Sequence, residues 1–195
     1  MPSRPAISDS RILILDFGAQ YSQLIARRVR EGHVYCELHP ANLSLATIKE
    51  FAPTGIILSG GPSSVLDHDA PDMEDGVLEL GIPILGICYG LQLLVHRLGG
   101  RIESADDREY GRATLKIERD DPLFAGLAKD REQIVWMSHG DRVLELPEGM
   151  SVIGSSGGSP FAAVRSDRAP FWGVQFHPEV VHTEAGTQML ENFVH

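Results

Sequence analysis

The sequence is poor in several features that mark particular classes of protein. It has two cysteines in 195 residues, too few to suggest a disulfide framework. These cysteines and the eight histidines show no C-x-x-C or H-E-x-x-H spacing, so we expect no metal site. No apolar run approaches the roughly 18 residues that a membrane span needs. Residues 1–10 lack the apolar core of a signal peptide and are predicted to be a flexible leader. We therefore expect a cytoplasmic protein without a membrane partner.

Basic residues are scarce and scattered. Lys and Arg number 17 against 27 Asp and Glu, which gives a formal net charge of -10. Contact with nucleic-acid phosphates needs clustered Lys and Arg, so no nucleic-acid partner is expected. Hydrophobic residues make up 43% of the chain, enough for a substantial buried core. No segment rich in Pro, Gly or Ser divides the sequence, and residues 11–195 are predicted to form one domain.

Apolar runs and helical patterns alternate through the first hundred residues. The predicted strands are 11–16, 33–38, 55–59 and 83–87, and the predicted helices are 21–31, 44–50, 71–80 and 91–98. This alternation predicts a central, mostly parallel twisted sheet flanked by helices. The second half is richer in strands, at 113–117, 133–137, 151–155, 161–165 and 171–176, with a last helix from residue 184. The prediction is a single α/β domain with additional antiparallel strands in its second half.

Residues 86–90 (GICYG) are the strongest candidate for a catalytic element. They place Cys88 between two glycines on a predicted strand-to-helix turn, as in a nucleophile elbow. The glycines leave room for the sharp turn. The N-terminus of the following helix favours the thiolate, which is the nucleophilic form of cysteine. The alternative is that Cys88 is an inert core residue, as free cysteines commonly are.

A histidine and a carboxylate near the end of the chain complete the inventory of a cysteine triad. Residues 173–179 (GVQFHPE) end a predicted strand with His177 and Glu179 two positions apart, so both side chains can converge on one neighbour. Cys88 would be the nucleophile, His177 the base and Glu179 the carboxylate that orients the base. Alone, a His-Pro-Glu sequence is more often just the end of a strand. Its combination with the cysteine elbow favours the catalytic interpretation.

Residues 59–62 (SGGP) follow a predicted strand and offer backbone N–H groups to a ligand. In an acyl-transfer enzyme such groups stabilise the developing oxyanion. Gly61 and Tyr89, the residue after the nucleophile, are the candidate donors. A phosphate loop is the rival interpretation, but the Lys-Ser/Thr of a P-loop is missing. A plain turn is the simplest alternative.

Residues 136–141 (WMSHGD) contain the last candidate segment. A predicted strand ends there in a polar loop, which could line the mouth of a pocket. His139 within it is predicted to be a surface residue rather than a second base.

Together these segments resemble the class I (triad) glutamine amidotransferases, over residues 11–195. Residues 86–92 (GICYGLQ) are similar to the nucleophile motif of that family, residues 176–179 (FHPE) to its His/Glu motif and residues 59–62 to its oxyanion loop. The resemblance implies a flavodoxin-like α/β fold. It also implies hydrolysis of L-glutamine to glutamate and ammonia through a γ-glutamyl thioester on Cys88.

The same resemblance implies roles for residues around the triad. Gly61 and Tyr89 would supply the oxyanion N–H groups. Contacts with the substrate would come from four further residues, namely Gly60, Gln92, Ser138 and Gly140.

Within the class, the chain is most similar to the glutaminase domains of the GMP synthase family. The strings that carry this similarity are LDFGAQY (15–21), SGGPSSV (59–65), GICYGLQ (86–92), VWMSHGD (135–141) and GVQFHPEVVHTEAG (173–186). The similarity implies that ammonia passes to an ATP pyrophosphatase (synthetase) domain or subunit that binds XMP and forms GMP. It also implies a homodimeric full-length enzyme.

Enzymes of that family carry synthetase and dimerisation domains that this chain lacks. We therefore expect no cofactor in this domain, with ATP and Mg²⁺ bound outside it, and we favour an excised domain over a separate subunit. Three alternatives stay open: the amidotransferase domain of another synthetase, a stand-alone γ-glutamyl hydrolase, and a non-catalytic regulatory module.

Overall fold

The computed structural model describes residues 10–127 and 132–195, and for residues 105–108 the backbone alone. Except for Ser10, the predicted leader lies outside the described residues. The strands are β1 (Arg11–Asp16), β2 (Tyr35–Pro40), β3 (Gly55–Leu58), β4 (Ile84–Ile87), β5 (Arg101–Ile117), β6 (Gln133–Glu145), β7 (Met150–Ser155), β8 (Ala163–Ser166) and β9 (Phe171–Val174). The α-helices are α1 (Ser22–Glu31), α2 (Leu45–Phe51), α3 (Tyr89–Arg97) and α4 (Gly186–Val194). None of the helices in the described ranges is long and apolar enough to cross a membrane.

The strands form one mixed sheet in the order β2-β1-β3-β4-β9-β8-β7-β5-β6. The strands from β2 to β9 in this order pair in parallel, and those from β9 to β6 pair antiparallel. This arrangement confirms the predicted α/β fold with a parallel centre and antiparallel strands in the second half. β9 comes late in the chain but pairs in parallel with β4. The segments that follow Ile87 and Val174 therefore leave the sheet at the same edge.

Helices cover both faces of the parallel half because its strands are apolar at successive positions. In β1, Ile12 and Ile14 belong to the core cluster that includes the buried faces of α1 and α4. Leu13 and Leu15 belong to the cluster that includes α2 and α3. Successive strand residues point to opposite faces, so a strand buried throughout must be covered on both sides. Replacing one of these side chains by alanine is expected to cost about 2–5 kcal/mol of stability.

The prediction of an α-helix over residues 71–80 is wrong. Only a 3-10 turn, Leu78–Leu80, forms there. Gly76 has a φ of 87°, and a right-handed helix cannot pass through a residue with that backbone conformation. Apolar spacing alone did not reveal this break.

The polar loop predicted within residues 136–141 is also wrong, because β6 continues through it to Glu145. β6 pairs with β5 along most of its length, and β5 is longer than the predicted strand 113–117. Burial alternates along β6 from Gln133 to Gly140, and the polar residues and glycine among residues 138–141, which include the buried His139, led to the prediction of a loop. The remaining predicted elements are present, with ends shifted by a few residues.

Candidate active site

Cys88 lies in the sharp turn between β4 and α3. It occupies the N-cap position of α3 with φ 51° and ψ -104°, a conformation that costs a residue with a side chain about 1–3 kcal/mol. The turn is tightly packed on both sides of the cysteine. A Cβ on Gly86 would lie 2.5 Å from the Gly90 carbonyl oxygen, and a Cβ on Gly90 would lie 2.3 Å from that of Leu58. Only glycine fits at these two positions, which explains the strand-to-helix elbow predicted from GICYG.

β9 brings His177 and Glu179 to the same edge of the sheet. The Cys88 N–H donates to the Val174 carbonyl at 2.8 Å, which joins the elbow to the end of β9. His177 Nδ1 lies 2.8 Å from Glu179 Oε1. Because a carboxylate only accepts, Nδ1 carries the proton in this contact. The imidazole lies beside Cys88, since both side chains border Gly60 and the Cys88 side chain contributes to the pKa of His177. The three predicted triad residues therefore meet in the order Cys88, His177, Glu179.

The surroundings of His177 favour its protonated form. Burial by itself would lower its pKa, but the hydrogen bonds with Cys88 and Glu179 and their negative charges outweigh burial and raise the pKa of His177 to about 10. A protonated histidine beside a cysteine favours the thiolate. The pair is thus arranged to hold a nucleophilic sulfur and a proton donor together.

Glu179 is completely buried, and its backbone is anchored from another element. Its carbonyl oxygen accepts from Arg28 Nε of α1 at 3.2 Å. Among the described residues, its Oε2 atom has no hydrogen-bond partner. An unsatisfied buried carboxylate oxygen destabilises a fold. The interaction of the other oxygen with His177 is the contact that offsets this cost.

The chain after β9 is fastened along β6. The His177 N–H donates to the Trp136 carbonyl at 3.0 Å. The buried hydroxyl of Thr183 donates to the His177 carbonyl at 2.6 Å and accepts from the Trp136 N–H at 3.1 Å. β6 also places the Ser138 carbonyl 3.4 Å from Cys88 Sγ. One strand therefore fixes both the base and the surroundings of the sulfur.

Residues 59–62 leave β3 next to the elbow, and Ser59 holds their conformation. The Ser59 hydroxyl donates to the Gly60 carbonyl at 2.8 Å and accepts from the Phe17 N–H at 2.9 Å. In a trans peptide the C=O and N–H groups point in opposite directions. Holding the Gly60 carbonyl therefore turns the Gly61 N–H away from Ser59. No described residue accepts from that N–H.

Gly60 and Gly61 lie too close to their neighbours to carry side chains. A Cβ on Gly60 would lie 3.1 Å from His177 Cε1 and 3.7 Å from Cys88 Cβ, and a Cβ on Gly61 would lie 2.6 Å from the Phe17 carbonyl oxygen. The backbone of this loop is consequently in contact with the triad. The Tyr89 N–H has no partner within the helix because Tyr89 lies in the first turn of α3.

The side chain of Tyr89 belongs to the core. Its hydroxyl donates to the Pro71 carbonyl, and its ring packs on Phe17 with ring centroids 5.3 Å apart. Burial, followed by the charges of Asp72 and Asp67, raises the pKa of Tyr89 to about 12. The phenol therefore has no place in the proton transfers at Cys88.

Cys88 opens into a cavity of about 450 Å³. Three of the four predicted substrate-contact residues line it, and Gly60 instead lies against His177 and Cys88. Its lining includes Gly61, Asp67, Cys88, Gln92, Tyr110, Ser138, His139, Gly140 and Asp141. Within residues 10–127 and 132–195, no three His, Cys, Asp or Glu side chains are grouped so that they could hold a metal ion.

His139 is buried, which corrects its predicted surface position. It lies on the buried face of β6 and is 7% exposed. Its Nδ1 is 2.9 Å from the Asp141 carbonyl, and its Nε2 is 3.2 Å from Glu109 Oε2. These contacts brace β6 against β5 at the wall of the cavity.

Sequence reasoning missed several polar residues that support the site. Ser59, Thr183 and Gln175 are all buried, and each hydrogen-bonds a triad residue or the loop beside it. A polar residue directly after an apolar strand is the signal that could have singled out Ser59 and Gln175, and Thr183, between β9 and α4, carries no such signal.

Comparison with known proteins identifies the family. The sequence model described as Glutamine amidotransferase class-I matches residues 13–195. The chain belongs to the class I glutamine amidotransferase family. Among solved structures, this amidotransferase chain is similar to a GMP synthase subunit from Thermoplasma acidophilum, with a TM-score of 0.85 and 28% identity over 95% of this chain and 92% of that chain. A glutamine amidotransferase of Thermotoga maritima, at 21% identity and a TM-score of 0.73 over 89% of this chain and 77% of that chain, shares the fold.

Curated relatives of the amidotransferase chain are larger proteins. The GMP synthase [glutamine-hydrolyzing] of Desulfotalea psychrophila is 56% identical over 188 residues, which are 96% of this chain and 36% of the relative. That of Thermosipho melanesiensis is 57% identical over 183 residues, 94% of this chain and 35% of the relative. The chain thus spans about a third of the length of these relatives.

Proposed function

We propose that this chain hydrolyses L-glutamine to glutamate and ammonia, and that the ammonia is used to convert XMP to GMP. The observation that carries the first part is that Cys88 lines an open cavity and neighbours His177, whose Nδ1 lies 2.8 Å from Glu179 Oε1. Membership of the amidotransferase family supports the choice of glutamine. The names of the curated relatives support the second part.

The first half-reaction forms a thioester. The Cys88 thiolate attacks the amide carbon of glutamine, a C–S bond forms and the carbonyl electron pair moves to oxygen. The N–H groups of Gly61 and Tyr89 donate to this oxyanion. Protonated His177 gives its proton to the amide nitrogen, the C–N bond breaks and ammonia leaves.

The second half-reaction returns the enzyme to its starting state. Neutral His177 takes a proton from water, and the resulting hydroxide attacks the thioester carbon. The same two N–H groups stabilise the new oxyanion. The C–S bond then breaks, glutamate leaves and the thiolate again faces protonated His177, whose tautomer is maintained by Glu179.

The substrate contacts follow from the walls of the cavity. Gln92, Ser138 and Gly140 line it on the side of α3 and β6, where they would bind the α-amino and α-carboxylate groups of glutamine. The backbone of Gly60, against Cys88 and His177, would face the amide that reacts.

The later steps of GMP formation would take place outside this chain. We propose that an ATP pyrophosphatase (synthetase) domain or subunit binds XMP, ATP and Mg²⁺ and receives the ammonia, and that the full-length enzyme is a homodimer. No cofactor is required for the chemistry assigned to Cys88. The length of the curated relatives, about three times that of this chain, supports such a partner.

The decisive experiment measures glutamate release from glutamine by the wild type, Cys88→Ala and Cys36→Ala. Each is assayed with and without the synthetase part of a GMP synthase, XMP and Mg-ATP. Cys88→Ala should lose roughly 10⁴-fold or more in kcat, because the nucleophile is gone. Cys36 is a buried core residue of β2, so Cys36→Ala should keep near wild-type activity.

The outcomes separate the proposed function from its alternatives. Release that needs Cys88 and rises with the synthetase and XMP supports both parts of the proposal. Cys88-dependent release that ignores the partner fits a stand-alone hydrolase. Equal loss in both cysteine variants, or no release in any condition, contradicts the glutaminase assignment.

A further inference from the structure

Gln175 directs its side-chain amide at the nucleophile. It follows β9 directly, is 1% exposed and places Nε2 3.7 Å from Cys88 Sγ. Its backbone N–H donates to the Ala162 carbonyl at 2.9 Å, which fixes the residue at the end of the strand. In the reaction proposed for Cys88, His177 and Glu179, this buried polar side chain has no role.

Neighbouring groups fix the direction of the hydrogen bond to sulfur. The Asp141 carbonyl can only accept, so the Gln92 atom that lies 2.8 Å from it is the nitrogen Nε2. The same Nε2 donates to Gln175 Oε1 at 3.3 Å. The other end of the Gln175 amide is therefore its NH₂ group, which faces Cys88 Sγ as a donor.

The two forms of the cysteine need different partners. A thiol has one proton, and the Ser138 carbonyl at 3.4 Å can accept it. A thiolate has no proton to give and is stabilised by donors. Protonated His177 is one such donor, but it is neutral after its proton has gone to ammonia. Gln175 is an uncharged donor that stays in place throughout the cycle.

We propose that Gln175 is a catalytic residue whose amide N–H donates to the sulfur of Cys88 in the thiolate and as the C–S bond breaks during thioester hydrolysis. Gln92 is then a positioning residue, because it orients the Gln175 amide from the far side. The second part of this role rests on the proposed glutaminase function. The first part, stabilisation of the thiolate, stands on the contacts alone.

The test follows the reactivity of Cys88 towards iodoacetamide as a function of pH. All variants carry Cys36→Ala, so that Cys88 is the only thiol. Gln175→Met keeps the length of the side chain but removes the donor, and the midpoint of alkylation should move up by about one to two pH units, as expected for the loss of a hydrogen bond to a charged group. Gln175→Glu should move it further, because an ionised carboxylate repels the thiolate. The titratable groups around the cavity, Asp67, His139, Asp141 and His177, are the same in every variant.

The matched control is Gln188→Met on the exposed face of α4, whose midpoint should equal that of the wild type. An unchanged midpoint in both Gln175 variants, with folding verified by circular dichroism, overturns the inference. If the midpoint moves while the wild type releases no glutamate, the thiolate contact stands and the proposed function fails. If glutamate release depends on Cys88 but neither Gln175 variant shifts the midpoint, the proposed glutaminase function stands and the proposed role of Gln175 fails.

Discussion

At the scale of single residues, the interactions of His177 with Cys88 and Glu179 favour the protonated form of the imidazole. The pKa of His177 in the folded protein, about 10, lies above its ordinary value of 6.5. Its pairing therefore adds to the free energy of unfolding fully below about pH 6.5, and this contribution is lost as the pH rises through about 10. A protonated imidazole at neutral pH is what the proposed transfer of a proton to departing ammonia requires.

Glu179→Gln is expected to lower the pKa of His177 by about 1–3 units, because a neutral amide no longer stabilises the imidazolium charge. NMR titration of the His177 ring signals measures this directly. Glu184→Gln, at an exposed position in the same segment, serves as the control and should change nothing. A His177 pKa that is the same in both variants would show that Glu179 does not set the protonation state.

Ser59 gives a second prediction at this scale. Without its hydroxyl, the Gly60 carbonyl loses its 2.8 Å hydrogen bond, and the Gly61 N–H is no longer held in one orientation. Ser59→Ala should lower kcat for glutamine hydrolysis about 10- to 100-fold with little change in KM, since the oxyanion exists only after attack. Steady-state kinetics with Ser151→Ala on β7 as control checks this. A raised KM with unchanged kcat would instead assign the loop to substrate binding.

At the scale of secondary-structure elements, Asp121 joins three parts of the second half of the chain. It caps the 3-10 turn Pro122–Phe124 by accepting from the Leu123 N–H at 2.9 Å. Its carboxylate also accepts from Trp172 Nε1 of β9 at 2.9 Å and from Arg165 Nη1 of β8 at 3.2 Å. The Asp121 side chain is fully buried. β9 is thereby held in the register that delivers His177.

Asp121→Ala should lower the free energy of unfolding by about 2–4 kcal/mol, because it removes three hydrogen bonds to a buried carboxylate and leaves the Leu123 and Trp172 N–H groups without an acceptor. Urea denaturation followed by circular dichroism gives the value. Asp69→Ala, whose side chain is 98% exposed, should stay within about 0.5 kcal/mol of the wild type. Similar losses in the two variants would contradict the bridging role.

Elements buried on both faces were the easiest to predict from sequence. β1, β3 and β4 are continuous apolar runs because helices cover the sheet on both sides. The long β5 and β6 were underestimated because only one of their faces is buried. Cys88, His177 and Glu179 could be predicted from sequence as neighbours because their motifs are local. The contact of Gln175 with Cys88 depends on the parallel pairing of β4 with β9, which no local pattern encodes.

At the scale of the whole molecule, the sheet has two parts that differ in support. The parallel half consists of β2, β1, β3, β4 and β9, and the arm is the β5–β6 hairpin. In the described residues, the β5–β6 hairpin pairs with β7 at Lys116 with Ser155 and Ile117 with Gly154, and its β6 strand is otherwise bonded to the segment after β9 rather than to a strand. Its far part carries Tyr110 and Ser138, which line the cavity. The parallel half has a core on both faces, and local opening is easiest where buried apolar contacts are few.

Hydrogen exchange measured by mass spectrometry should therefore be slowest in β3 and β4 and clearly faster in residues 109–112 of β5. Exchange in the arm should slow when a covalent glutamine analogue occupies Cys88, because the ligand would bridge α3 and β6. Equal protection of the arm and the parallel half would show that the sheet opens as one unit.

The left-handed backbone of Cys88 has a consequence for how this protein responds to selection. Glycine adopts a φ of 51° without strain, so Cys88→Gly should unfold at a higher temperature than Cys88→Ala, by about 1 kcal/mol in stability. Calorimetry of the two inactive variants measures the difference. Selection for heat tolerance alone would thus favour replacing the whole side chain of Cys88 with a hydrogen atom. Stability and reactivity compete at this one position. Engineering the protein for higher thermal stability must therefore select for catalytic activity at the same time.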